Sequence, residues 1–480
     1  MGGKSITSKN DKVIAIVLQL CLIGVLAFGN SFFTLKTLSA FSIINTVVVI
    51  GLIFKIRKSI LSISSMFMLF LGVFHFGQAW LYVFDAQVDT NISYDIFSLY
   101  PVENLFNILL FSLLSYNFIS LFLLLFSKNN ATTISLATDF QSEKLLYNRK
   151  IIFGFGIIFF FILLIPVIIY DYLTITITAQ YGHLGLYDYS STLSTWASAN
   201  SYFPLAIIMV LLGCNPQKNA WKYMYYYAIG RCLLLMVLTG MRGSFVIPLL
   251  LYIFCKHHFI KKYKKKHFII IAIACVLLLS MLSFISYGRG DYSDMDFIEF
   301  MKEKNLIVQV LSEFGASFTT TVLAYNYTIS HGLLWGKSYL GALSVFVPFS
   351  GTLFPGIKEY MSVSGMLNPY SPSGGALGGS FFSEMYINFG FYSLILSPLF
   401  AWALSKIENI INNPNKYSLF AICNSIYTAY GFWIYVRGNF VDVVFASKRV
   451  LYVCIIFIMF KLFFVNRRVS SEKKSSDSIQ

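Results

Sequence analysis

Charge is scarce in this sequence, and acidic charge is the scarcest. Asp and Glu number 21 in 480 residues against 36 Lys and Arg, and both signs together make up 12%. No water-soluble fold of this length covers its surface with so few polar groups. The seven cysteines (Cys21, Cys214, Cys232, Cys255, Cys275, Cys423 and Cys454) fall in or beside apolar runs and show no CxxC or Cys/His spacing. They read as small buried hydrophobes. No Ser/His/Asp order or DxD-like metal motif stands out, and His183 and His331 are isolated. The glycine-rich stretch SPSGGALGGS (371–380) lacks Walker spacing and its lysine, so it is no phosphate loop. Neither a metal nor a cofactor is expected. There is no internal repeat, and no A-x-A site follows the first apolar run, which reads as a span.

What the chain does have is hydrophobicity: 57% of residues, with a mean hydropathy of +0.69. Its apolar runs are long enough to cross about 30 Å of hydrocarbon. They are continuous rather than alternating, which argues against a closed barrel. The expected fold is therefore all-α, a polytopic integral membrane protein with about twelve transmembrane helices in one membrane domain, 1–480. The spans fall near 13–28, 38–54, 60–84, 102–127, 151–171, 198–213, 223–239, 243–255, 267–286, 379–404, 417–436 and 443–465. Pro204 and Pro248 make the sixth and eighth the weakest.

Basic residues orient this frame. Segments assigned to the cytoplasm hold 24 of the 36 Lys and Arg, outer segments eight and the spans four. By the positive-inside rule both termini face the cytoplasm. The cluster KHHFIKKYKKKH (256–267) is then an orientation determinant that meets anionic lipid, not a nucleic-acid site. The tail 466–480 is polar and reads as disordered. Two sizeable segments lie outside, 172–197 and 287–378. The first is rich in rings (Tyr181, Tyr187, Tyr189, Trp196), as in an interfacial belt. The second, between helices 9 and 10, is a large extracytoplasmic loop with an amphipathic stretch and a semi-apolar piece, YLGALSVFVPFSG, that dips into the membrane or lies on it.

Charges at the membrane single out candidate site residues, because each asks for a partner. Arg242, in TGMRGSF (239–245), sits in an outer turn between two spans, with glycines that let a ligand approach its backbone. As a planar fork it suits phosphate or pyrophosphate; as a bland turn residue it only snorkels. Arg437 in IYVRGNFVDVV and Arg289 in YGRGDY repeat the outer Arg-Gly step, with Asp442 and Asp291 as nearby acids. Glu384 lies more than a turn inside its span, with Asn388 at i+4 on the same face. It either pairs with a membrane arginine such as Arg231 or serves as a site carboxylate, orienting an arginine or taking a proton from a sugar hydroxyl. Lys448 and Arg449 sit inside the last span and read as substrate-binding cations. His75 and Gln78 in FHFGQAW (74–80) read as interhelical hydrogen-bonders.

The pieces FHFGQAW, TGMRGSF and LGGSFFSEMYINFGFYSLI (377–395), in this order along a twelve-span frame, resemble the bacterial O-antigen and capsular repeat-unit polymerases of the Wzy type. The resemblance implies a membrane glycosyltransferase of the bacterial plasma membrane, active on the outer face. Its donor is a growing glycan on undecaprenyl pyrophosphate and its acceptor a lipid-linked repeat unit. Membrane lipids and a chain-length regulator protein are the other expected partners. Arg242 and Glu384 match motif positions and Arg437 matches more loosely, which makes these three the catalytic candidates. Arg289, Asn388, Lys448 and Arg449 are the substrate-binding ones. The Arg-x10-Gly loops of some members are absent, since Ile253 and Phe300 stand eleven positions after Arg242 and Arg289. The alternatives are an O-antigen ligase-like transferase, with the same donor, and a lipid-linked oligosaccharide flippase, which the 287–378 segment disfavours.

Overall fold

A computed structural model of the chain describes residues 9–59, 61–88, 95–127, 143–182, 185–214, 219–264, 305–371 and 378–477, and 266–284 in part. The side chains of 143–147, 187, 242–244 and 463–477 lie outside that description. Among the described residues every regular element is helical. The principal helices are α1 (Lys9–Phe28), α2 (Leu35–Arg57), α3 (Ile63–Val83), α4 (Val102–Phe126), α5 (Glu143–Tyr181), α6 (Ser190–Gly213), α7 (Ala220–Thr239) and α8 (Arg242–Cys255). They continue with α9 (Leu306–Gly315), α10 (Phe318–His331), α11 (Lys337–Leu343), α12 (Phe381–Phe389), α13 (Ser397–Ile411), α14 (Leu419–Tyr435) and α15 (Phe440–Asp477). The chain packs as two compact units, one of residues 1–133, 263–412 and 429–444, the other of 134–262, 413–428 and 445–480.

In the first unit two of the helix starts are capped by hydroxyl residues. Thr34 and Thr37 cap α2 reciprocally, and the Ser62 hydroxyl accepts from the Ser65 N–H at the start of α3. Each cap satisfies amides that the first turn leaves without helical partners. Polar residues in the apolar helices also find one another. The Gln19 amide of α1 donates to Asn117 Oδ1 of α4 at 2.5 Å and accepts from Ser120 at 3.2 Å, an interhelical ladder of the kind that joins membrane helices. Glu408, buried on α13, is met by Arg57 at 3.3 Å and by the Ser64 hydroxyl.

In this unit α3 and α9 approach backbone to backbone. A Cβ placed on Gly77 would stand 2.6 Å from the Leu311 carbonyl, and one on Gly315 would collide with the Gln78 amide. Two backbones touch here because neither carries a side chain at the crossing.

In the second unit Arg231 of α7 forms a two-pronged pair with Asp171 of α5, at 2.7 and 2.6 Å, and its Nη2 also donates to Asn200 Oδ1 of α6 at 2.7 Å. Pro204 stays inside α6 without ending it. Its missing N–H loosens the ladder locally, and the Ser201 carbonyl accepts from the Tyr427 hydroxyl at 2.5 Å. Pro248 is likewise carried within α8.

By length and composition nine helices among the described residues can cross a membrane. Eight overlap expected spans. Of the other expected spans, α7 is rich in Tyr, α8 is short, α14 has 17 residues, and 267–286 is described only in part. The ninth candidate, Leu306–His331, falls inside the segment 287–378 expected as a loop: α9 and α10 are apolar, and α9 packs against α3. The mixed pattern of LIVQVLSEFGASFTTTVLAY hid this; in place Thr320 bonds back to Ser317 O at 2.8 Å and Thr321 meets Ser380 Oγ at 3.1 Å. The outer segment 172–197 shrinks for a similar reason. Thr174 donates back to Tyr170 O at 2.7 Å, α5 runs on to Tyr181, and Trp196 packs on a cluster of Tyr170, Ile177, Leu186 and Leu193. The tail expected to be disordered continues α15 to Asp477, through good helix formers such as Glu472 and Lys473.

The glycine crossing generates a test. Gly315→Ala should lower the stability of the purified protein by about 1–3 kcal/mol, the usual cost of overpacking. Gly51→Ala, with open space around it, should leave the unfolding midpoint in detergent unchanged.

Candidate functional site

The site begins with a broken helix. The span expected to run unbroken over 379–404 stops at Phe389, where Gly390 takes φ +56° and ψ −138°, a conformation suited to glycine. A 3₁₀ stretch follows over Gly390–Leu396 before α13 begins. The carbonyls freed at the end of α12 do not stay bare. Ile387 O accepts from Leu334 N–H and Asn388 O from Trp335 N–H, both at 2.9 Å. Irregular backbone is tolerated in a membrane fold where protein groups satisfy it in this way. The turn that supplies these amides is itself bent by positive φ at Trp335 (52°) and Gly336 (84°), and it delivers Ser338 to the buried face of α12.

Glu384 stands on that face, fully buried. Its Oε1 accepts from the Ser338 hydroxyl at 2.6 Å and its Oε2 from the Phe440 N–H at 2.6 Å. Asn388 closes the group, its Nδ2 donating to Ser338 Oγ and to Glu384 O, both at 2.7 Å. So Glu384 and Asn388 share one face, as their spacing predicts. The alternative partner, Arg231, is held by Asp171. Because Phe440 opens α15, Glu384 places a carboxylate at a helix N-terminus, where orphan amides and the helix dipole favour negative charge. Two phenol hydroxyls, of Tyr339 and Tyr435, are buried beside it, within reach of one another and, for Tyr435, of the carboxylate. Burial, and then the Glu384 charge, push the Tyr339 phenol well above its usual range, so it remains an O–H donor.

Arg437 lies in the turn between α14 and α15, just before the amide that Glu384 holds. Its guanidinium stands 5.8 Å from the centroid of the Phe74 ring, and its stem runs along Gly378. Gly379 approaches the Gly438 carbonyl so closely that a Cβ on it would collide. Asp442, expected as an acid near Arg437, accepts from the Asn439 N–H at 2.9 Å, and the Asn439 amide side chain ties down Ser364.

His75 anchors the other end of α12. Its Nδ1 faces the Leu71 carbonyl at 3.0 Å, and a carbonyl only accepts, so Nδ1 carries the proton. Nε2 is then an acceptor for the Ser380 hydroxyl at 2.7 Å, while Ser380 Oγ caps α12 through the Ser383 N–H. His75 and Gln78 are interhelical hydrogen-bonders, as expected, Gln78 donating to Ser312 O at 3.0 Å.

Glu384, Asn388 and Arg437 therefore stand together in the first unit. Arg242, Lys448 and Arg449 belong to the second. Arg242 opens α8 directly after Gly240 ends α7 with φ +64°, so the expected turn is present; its side chain, and all of Arg289, lie outside the described residues. Ser338, Tyr339, Tyr435 and Ser380 were not singled out in the sequence. Only Ser380 carried a signal, as a hydroxyl residue following two glycines at a helix start. Among the described residues no three His, Cys, Asp or Glu side chains cluster at metal-binding range.

If His75 and Ser380 act through one bond, their truncations are not additive. His75→Ala and Ser380→Ala should each lower stability by about 1–2 kcal/mol. The double variant should fall well short of the sum in the unfolding midpoint of the purified protein.

No curated protein and no solved structure matches the chain significantly. A family model described as O-antigen polysaccharide polymerase Wzy matches residues 12–467. That range takes in the His75 motif, the Arg242 turn, the broken helix with Glu384 and the Arg437 turn. The chain belongs to the family of O-antigen polysaccharide polymerases.

Proposed function

We propose that the protein joins oligosaccharide repeat units carried on undecaprenyl pyrophosphate, at the outer face of the plasma membrane, with both of its termini in the cytoplasm. A hydroxyl of the lipid-linked acceptor unit attacks the anomeric carbon of the growing glycan. The bond from that carbon to the pyrophosphate oxygen breaks, the attacking oxygen loses its proton, and the lipid diphosphate leaves with the added negative charge. Fixed guanidinium groups stabilise charge of this kind, since they need no reorganisation as it develops. The observation that carries the reading is the family match over residues 12–467.

Arg242 and Arg437 are the residues we assign to diphosphate. Arg242 stands at the N-terminus of a 14-residue helix, where unpaired amides and the dipole favour an anion. Arg437 is held beside a ring, in a turn fixed by Glu384 and by the glycine contact at Gly379. In this reading Glu384 acts through that turn, with Asn388 orienting Ser338 toward it. The buried Tyr339 and Tyr435 hydroxyls are donors for an acceptor-sugar oxygen. Arg289 is a further outer cation for the donor, and a chain-length regulator would act on the product.

Loss of the gene should leave surface glycan with one repeat unit per anchor while export continues. Units accumulating on the cytoplasmic face would instead mark a flippase. At the residue level, Arg242→Ala should reduce polymerisation by purified protein about 100- to 1000-fold, and Arg242→Lys should recover only part, because a point charge replaces a bidentate fork. The exposed Lys222 provides the control, and Lys222→Ala should elongate normally. Glu384→Gln keeps an acceptor for Phe440 N–H but not the charge. Activity near wild type would support a positioning role, and loss equal to that of Glu384→Ala would assign the charge itself to the reaction.

A further inference from the structure

The second unit carries an apolar groove of about 410 Å³, open on one side and lined by Phe159, Leu163, Tyr202, Tyr452, Val453 and Ile456 with a neighbouring isoleucine. Its walls come from α5, α6 and α15. On α15 the lining residues Tyr452, Val453 and Ile456 follow Arg449 at i+3, i+4 and i+7, so all four share one helical stripe with the cation at its upstream end. Arg449 is half-buried, 5.8 Å from the Phe445 ring centroid, and its charge reaches the hydroxyls of Tyr202 and Tyr427. Among the described residues no carboxylate pairs with it. Lys448 lies next to it, its Nζ 5.7 Å from the centroid of Tyr452, another lining ring.

A cation this far along a candidate span, Phe440–Leu462, asks for a partner. The protein supplies rings and hydroxyls. A ligand that completes the site needs an anionic head for Arg449 and a hydrocarbon body for the groove below it. We infer that this groove binds the polyprenyl chain of a lipid phosphate, with the phosphate on Arg449. Arg449 stands nine positions past the first residue of α15, about 13 Å along the helix, and its side chain leans back toward that start. The phosphate is thus drawn below the end of the span, a position open to a slim phosphate ester but not to a glycerophospholipid, whose bulkier headgroup stays at the surface. Three aromatic rings in the wall suit a flat, branched, unsaturated chain. The inference rests on the transfer proposed above, which releases a polyprenyl diphosphate freed of its glycan, and gives that released carrier a place.

The test is photolabelling of the full-length protein in phosphatidylethanolamine–phosphatidylglycerol vesicles, with a polyprenyl phosphate bearing a mid-chain diazirine. Label should appear in peptides containing Phe159–Leu163 or Tyr452–Ile456. Unlabelled polyprenyl phosphate should displace it, whereas excess phosphatidylglycerol should not. Arg449→Gln should weaken the competition about tenfold or more, the scale of a charge-assisted hydrogen bond. Ile456→Trp, at a half-exposed position, should abolish labelling by filling the groove. Equal displacement by phosphatidylglycerol would show a groove filled by bulk lipid, and unchanged competition in Arg449→Gln would remove the phosphate from that residue; either overturns the inference. Labelling needs no glycosyl transfer, so its failure beside intact polymerisation would fault the groove alone. Labelling without any chain elongation would fault the transferase reading instead.

Discussion

A carboxylate without water must be given donors by the protein, and the first unit is arranged around meeting that demand at Glu384. Leaving such a group unsatisfied in a low-dielectric interior costs several kcal/mol. One donor comes from Ser338, which reaches Glu384 only because α12 stops at Phe389 and the turn before α11 pairs with its last carbonyls. The other is the first amide of α15. Three chain segments far apart in sequence thus converge on two oxygens. The Arg437 turn inherits its place from this convergence, since it sits between the end of α14 and the amide that Glu384 holds.

The second unit solves the opposite problem with the opposite charge. Arg231 is taken up by Asp171 and Asn200 in a fork that uses the planarity of the guanidinium. That closed arrangement makes Arg449 stand out. Both are arginines inside helices of one unit, yet one has a carboxylate in two-pronged contact and the other has rings. The paired Arg231 holds helices together, whereas Arg449 has no carboxylate partner among the described residues.

Much of this was legible in the sequence. The helical membrane class followed from hydropathy, the Arg242 turn from Thr-Gly-Met-Arg, and the shared face of Glu384 and Asn388 from a spacing of four. What escaped notice has a common cause: a pattern method sees one segment at a time, and the decisive contacts join segments. Ser338 has no distinguishing neighbour in the sequence and gains its role only from the break in α12. The pair α9–α10 was read as part of a loop because threonines and serines interrupt its apolar run, although in place Thr320 bonds to the start of its own helix and Thr321 to Ser380. Asp171 marked only a span end in the sequence, while its partner Arg231 was weighed as a partner for Glu384 instead.

The contact of Gly77 with Gly315 has a consequence for motion. With side chains, two helices can slide past each other in small steps, each knob climbing into the next hole. Where backbone meets backbone there is no knob to climb, and α3 is also keyed at His75 to Ser380 and at Gln78 to Ser312. A slip of one residue would turn α3 by about 100° and shift it about 1.5 Å, parting both keys at once. The helix therefore has one seating and no neighbouring one, like a bolt cut for a single notch. Any rearrangement that accompanies lengthening of a glycan has to happen around α3 rather than along it.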